Sequence, residues 1–343
     1  MTREPLRVMQ DMLQILEEGS FVATYKYAVL LGLIDACVAR PGAEVVTSRQ
    51  LANHVIALYW PQVRVHVGRV LTQNSGRQAK IVQQVHTFAV QNEGVPLVRA
   101  RTQAQWQGLL DDVEHTLIEM PLPKLQRIRG ETVETLFHIN WTDTPAPTAR
   151  EVRRPDFDNR ILLLPGVGDA LIQLAPLLRP FIQHQWAQKV AKLNALPEAE
   201  LPEFLFGPTR GDLVPLRDGL ADVQGGRCFY CDGRLGKAFE VDHFLPWSRV
   251  PSDDLANLVA ADRECNNDKR DYLADIEHLV RWRRRQEAAL ADFADRMQWS
   301  FVPQAALLSA RALYAPLTPD SRLWTGRKQW ASADRERLKQ ALQ

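Results

Sequence analysis

Cysteine is scarce. The four residues Cys37, Cys228, Cys231 and Cys265, in a chain of 343, are too few to staple a secreted disulfide scaffold. Neither sign of charge dominates either: 42 basic side chains stand against 41 acidic ones, a formal net charge of +1. That balance excludes a uniformly basic, polyanion-coating protein, although a total says nothing about how the charges are distributed. Long apolar runs are missing. The most apolar stretch, Ala28 to Ala39, is shorter than the ~20 residues that span a bilayer, and Lys26 and Asp35 flank or interrupt it. The opening MTREPLRVMQ lacks the apolar core and small-residue cleavage site of a secretory leader. These absences lead us to expect a soluble cytoplasmic protein with no membrane partner. There is no internal repeat and no low-complexity tract. Gly166-Val-Gly168 lacks the third glycine of a dinucleotide fingerprint and the Gly-Lys-Ser/Thr of a phosphate loop, so it reads as a helix-initiating turn.

What is present is ordinary for a globular chain: 45% apolar and 24% charged residues, with length for about two domains and a core that needs no disulfide or metal to form. In residues 1–105 the apolar spacing is helical. Leu6, Met9, Leu13 and Leu16 lie three to four apart and Gly19 closes the segment; a second apolar segment runs from Phe21 to Val38. Thr47 with Gln50 forms a capping box for a helix through Tyr59, stopped by Pro61. Ser75 and Gln78 are expected to cap a helix carrying Ile81, Val82, Val85 and Phe88, and Val95 to Ala100 reads as a strand. Three helices and a strand give a winged-helix-like order that reads DNA; the plainer alternative is a small helical bundle. Residues 106–205 form a mixed connecting region. It has a strand in Thr135–Asn140, a polar loop from Pro145 to Arg154, a short apolar run at Ile161–Leu164, and two helical stretches, one carrying Leu171 to Leu178 and one around Trp186 to Leu193.

The chemistry is concentrated in residues 206–275. Cys228-x-x-Cys231 followed by Asp-Gly is a knuckle that presents two thiolates to one ion, and Cys265 supplies a third thiolate 34 residues after Cys231. Three cysteines leave a tetrahedral zinc site one ligand short. Asp242-His243 closes the alternating run Ala238–Val241 and precedes the apolar Phe-Leu-Pro-Trp segment; Asn257 opens a second short strand; Asn266, Asn267 and Lys269 start a helix expected to continue through Leu273. Strand, strand and helix would bring these side chains onto one face.

With Cys-x-x-Cys, Asp-His with a proline three residues on, Asn-Leu-Val and Cys-Asn-x-x-Lys in this order, the segment from Arg227 to about Leu273 resembles the HNH endonucleases, the ββα-metal nucleases. The region before it is similar to the N-terminal parts of HNH proteins found in bacterial defence and mobile-element settings. The resemblance implies His243 as general base, Asp242 and Asn266 (with Asn267 as fallback) as ligands of a catalytic Mg²⁺ or Mn²⁺, and Asn257 as the residue that orients the His243 ring. It implies a structural Zn²⁺ as well, with Asp262 standing where the second knuckle's first cysteine would be and completing a site with Cys228, Cys231 and Cys265; the alternative is a weakened or absent zinc with the thiols simply packed. Lys269 is a candidate phosphate contact, beside its reading as a solvated lysine. His278 is expected to be a packed or solvated helix histidine, with support of the site as the other reading, and Cys37 a core residue, while His54, His66, His86, His115, His138 and His184 have no partner at metal spacing.

The net charge conceals an uneven distribution. Residues 206–275 hold 9 basic and 13 acidic side chains, whereas residues 276–343 hold 12 basic and 7 acidic. DNA affinity is therefore expected from outside the motif, first from Arg281-Trp282-Arg283-Arg284-Arg285, where guanidiniums neutralise phosphates and the indole stacks on bases. Arg327-Lys328-Gln-Trp330 is a lesser version of the same pattern, read as a surface helix start. The whole is expected to be an α+β, mostly α-helical protein: a helical N-terminal region, a ββα-metal nuclease module in the C-terminal third, and a basic helical region over 276–343. The expected activity is hydrolysis of DNA phosphodiester bonds in restriction or antiphage defence, with a protein partner or activating signal. The alternatives are a non-catalytic zinc-stabilised DNA-binding or regulatory protein and an RNA-directed nuclease.

Overall fold

The computed structural model describes residues 3–18, 23–76, 78–93, 95–141, 146–199, 201–207, 210–297 and 299–343. Gly19, Phe21 and Pro145, given roles above, lie outside the described residues. The chain is α+β and mostly helical, and divides into two compact units, Met1–Gly207 and Pro208–Gln343.

In the first unit, the helix Tyr25–Ala39 is buried on every side, including Lys26 and Asp35. It packs against the helices Ser48–Tyr59 and Val167–Asn194. Thr47 and Gln50 close the expected capping box, in which the threonine hydroxyl accepts from the Gln50 N–H and the glutamine oxygen accepts from the Thr47 N–H. The helix Lys80–Gln91 buries Ile81, Val82, Val85 and Phe88 as expected, but Ser75 and Gln78 do not cap it; Gln78 accepts from the Gln73 and Ala79 N–H groups ahead of it. A further difference concerns Val95–Ala100, which contains the short helix Leu97–Ala100 in place of a strand, so the last element of a winged-helix order is not there. A three-stranded antiparallel sheet places Arg160–Leu163 between Val45–Thr47 and Phe137–Ile139. Gly166, at φ 84°, makes the left-handed turn that starts Val167–Asn194. The two helical stretches expected there are one 28-residue helix that continues through Pro176 and Pro180.

In the second unit, the strands Glu240–His243 and Leu258–Ala261 pair antiparallel, His243 opposite Leu258 and Glu240 opposite Ala261, and the helix Arg263–Lys269 follows. This is the ββα order. The helix ends at Lys269, short of the expected Leu273, because Arg270 turns into the left-handed region (φ 47°). Helices Ile276–Arg283, Glu287–Met297 and Pro303–Tyr314, a hairpin of Arg322–Gly326 with Gln329–Ser332, and a helix Arg335–Ala341 complete the unit. The hairpin occupies the segment read above as a helix start. An aromatic cluster forms the core: Phe244 stacks on Trp282 at 4.9 Å, and Tyr230 meets Trp324 edge-on at 5.2 Å. No helix among the described residues is long and apolar enough to cross a membrane.

Candidate active site and metal centre

His243 ends its strand and is buried (8% exposed), with its ring 5.1 Å from that of Trp247. Its Nε2 lies 2.8 Å from Asp253 Oδ1. A carboxylate accepting from Nε2–H fixes the tautomer and leaves Nδ1 as the basic nitrogen. The loop that brings Asp253 there is itself anchored. The Trp299 indole donates to the Asp253 carbonyl at 2.7 Å, and the Asp254 carboxylate accepts from Ser300 Oγ and from the Val302 N–H. Asp253 was not singled out in the sequence; the only signal was the Asp-Asp pair four residues before Asn257.

Asn257 is 1% exposed and does not touch the His243 ring. Its side chain accepts from the Leu245 N–H (2.8 Å) and donates to the Leu245 carbonyl (3.0 Å), clamping the chain two residues beyond the histidine. It thus positions His243 through the backbone.

Asp242 and Lys269 form a buried pair. Lys269 Nζ lies 3.1 Å from Asp242 Oδ2 and donates to the His243 carbonyl at 2.9 Å, with the lysine fully buried. A solvated phosphate contact is therefore not what this lysine makes. Tyr230 donates its hydroxyl to the same Oδ2 at 2.6 Å. Burial, reinforced by the Asp242 charge, pushes the phenol well above its ordinary pKa, so it remains a neutral donor.

Asn266 donates through Nδ2 to Glu240 Oε2 at 2.7 Å, a carboxylate that sequence reasoning did not select. Strand alternation puts Glu240 and Asp242 on one side of their strand, a spacing that could have marked it. Asp242 Oδ1 and Asn266 Oδ1 have no hydrogen-bond partner among the described residues. Carboxylate and amide oxygens of this kind fit a hard divalent cation. Asn267 is exposed on the same helix, its carbonyl taken by Arg270.

Cys228, Cys231 and Cys265 converge, with their sulfur atoms all within 4.8 Å of one another. Among the described residues they are the one cluster of three or more His, Cys, Asp or Glu side chains at metal spacing, and it is compatible with zinc. Burial pushes the Cys265 thiol up to about 12. Asp262 does not join the cluster. Its N–H donates to Cys228 Sγ at 3.2 Å, while its carboxylate caps the helix at Glu264 and pairs with Arg327 at 3.1 Å.

The arginine run is mostly committed to the fold. Arg281 donates to the Phe229 and Tyr230 carbonyls, Arg283 to Ala341, and Arg285 to Leu258 and Ala256. Trp282 is core, its indole bonded to the Ala256 carbonyl. Arg284 is exposed and makes no such bond among the described residues. A groove of about 830 Å³ beside the knuckle is lined by Arg227, Arg281 and Arg284 together with Asp222, Asp232 and Glu277, so its wall is mixed in sign. His278 is a packed histidine, held by Asp275 and the Tyr230 carbonyl.

Residues 228–275 match the family model of the HNH endonucleases. Residues 6–203, more than half of the chain, match the model of a domain of unknown function, DUF8808. No curated protein matches the chain. No solved structure matches it. HNH domains are nucleic-acid-acting and metal-dependent, which agrees with the ββα geometry and the thiol cluster. The chain belongs to the DUF8808 family and carries an HNH endonuclease domain over residues 228–275.

Proposed function

We propose that this protein is a metal-dependent endonuclease that hydrolyses DNA phosphodiester bonds. The observation that carries the reading is the held imidazole: Asp253 binds Nε2 of His243 at 2.8 Å, and Asn257 fixes the turn behind it. His243 Nδ1 takes the proton from a water whose oxygen attacks phosphorus. The P–O3′ bond breaks and the leaving 3′ oxygen takes a proton from solvent water, giving a 5′ phosphate and a 3′ hydroxyl, while His243 returns its proton to solvent. Asp242 and Asn266 would hold the divalent cation, Mg²⁺ or Mn²⁺, with Glu240 bonded to the Asn266 amide beside them. When bound, the cation supplies positive charge against the charge developing on the phosphate and the leaving oxygen. Lys269 acts by neutralising Asp242 from behind. Zinc on the three thiolates would join the knuckle to the module helix. A restriction or antiphage setting rests on the resemblance of the N-terminal region alone.

The test is incubation of the full chain with plasmid DNA, and separately with RNA, with and without Mg²⁺ or Mn²⁺. Nicking or linearisation is expected only with metal, and His243→Ala should lower its rate by about 10²–10⁴-fold. Identical behaviour of wild type and His243→Ala on every substrate would end the nuclease reading. Cleavage of RNA alone would replace DNA as the substrate.

A further inference from the structure

Beyond the matched segment 228–275, the C-terminal hairpin meets the helix that carries Asn266. Asp268 accepts from the Trp324 indole and from the Lys328 N–H, both at 2.8 Å, so the hairpin is tied to the helix by two bonds to one carboxylate oxygen. Trp324 is fully buried, and Trp330 on the facing strand is 41% exposed. Trp330 stands against Tyr272, itself 45% exposed, with ring centroids 5.9 Å apart and planes at 75°. Tyr272 closes the turn after the module helix, its N–H bonded to the Lys269 carbonyl at 3.0 Å. Two large aromatic rings left half in water forgo burial worth about 1.5–3 kcal/mol for a whole side chain. Arg270 and Lys328, each two residues before one of these rings in sequence, are exposed; the Lys328 N–H bonds Asp268 and Arg270 spends its Nε on the Asn267 carbonyl. Aromatic faces with basic side chains beside them are the recurrent means of holding single-stranded nucleic acid, since every base has a stacking face and every linkage a negative charge.

Building on the nuclease reading, we propose that Tyr272 and Trp330 form a stacking platform for an unpaired base of the bound nucleic acid, with Arg270 and Lys328 on its phosphates. Tyr272 lies six residues from Asn266 in sequence, and the hairpin carrying Trp330 is anchored to the same helix through Asp268, so a strand stacked there is kept by the module.

Fluorescence anisotropy of labelled 20-mers tests this, using the full chain in a His243→Ala background so that nothing is cut. The oligonucleotides are single-stranded DNA, single-stranded RNA and the DNA duplex. Trp330→Ala and Tyr272→Ala should each weaken single-strand binding about tenfold. Trp330→Phe should retain most of the affinity, and duplex binding should change less than twofold. Whichever single strand loses more affinity identifies the source of the base. The platform is refuted by unchanged single-strand affinity in both alanine variants, by an equal loss on duplex, or by no single-strand binding in the parent. Both positions are exposed, so matching melting curves will certify the variants. Plasmid cleavage by the wild-type chain judges the nuclease separately: binding that depends on Trp330 without cleavage would sink that reading alone, and cleavage with no Trp330 effect would sink the platform alone.

Discussion

At His243 the tautomer is chosen by a neighbour ten residues along the chain. Asp253→Asn offers Nε2 an amide that can either donate or accept, so the pool of histidines with a basic Nδ1 shrinks while the packing stays close to isosteric. We expect kcat for DNA cleavage to fall on the order of 10²-fold, with KM within about twofold. A parallel rise in KM, or no change in kcat, would remove Asp253 from the mechanism. His243, Asp242, Asn257 and Asn266 were legible in the sequence because they occur as a spaced motif. Asp253 and Glu240 were not, since an aperiodic loop and a single strand residue give no pattern of their own. Lys269 stands out in the sequence by its motif position, which does not show its burial. The helix turns its position towards the strand pair, where Asp242 and the His243 carbonyl take up the ammonium group. Asp262 was likewise found, but the helix start claims its carboxylate.

At the scale of elements, close approach decides which residues are replaceable. The helix Arg217–Val223 crosses Glu287–Met297 so closely that a Cβ on Gly219 would come within 2.2 Å of the Phe293 ring. Gly219→Ala should destabilise the C-terminal unit by about 1–3 kcal/mol, read as a shift in the urea midpoint at constant slope. An unchanged midpoint would mean that the ring moves freely aside. Sequence patterns worked where a helix carries its own cap, as at Thr47 and Gln50, and where a strand alternates, as at Phe137–Ile139. They failed at Leu97–Ala100, whose four residues are too short a run to separate helix from strand by period. They also failed between Leu178 and Trp186, where burial of Leu174, Leu178 and Ile182 holds one helix through Pro180, a residue that lacks a donor. The arginine run was read as a phosphate footprint because composition cannot show that three of its guanidiniums end on main-chain carbonyls.

For the whole molecule, the thiol cluster lies entirely within the unit Pro208–Gln343, while Met1–Gly207 buries a core of its own. Purified protein should carry one zinc per chain, and Cys228→Ser should lose it. Stripping the metal with a chelator should raise hydrogen exchange in peptides from residues 208–343 and leave those from 1–207 as they were. Zinc-free protein, or equal loss of protection in both units, would contradict this.

The loop that holds Asp253 has a consequence for how such a nuclease can be moved between proteins. Its anchors, Trp299, Ser300 and Val302, lie past the segment that the family shares, as does the hairpin bonded to Asp268. Transplanting residues 228–275 alone would carry His243, Asp253 and Asn257 but leave behind the anchors of the loop that holds Asp253. Any recombination that passed this chemistry intact to a new host chain would have to take the C-terminal third with it.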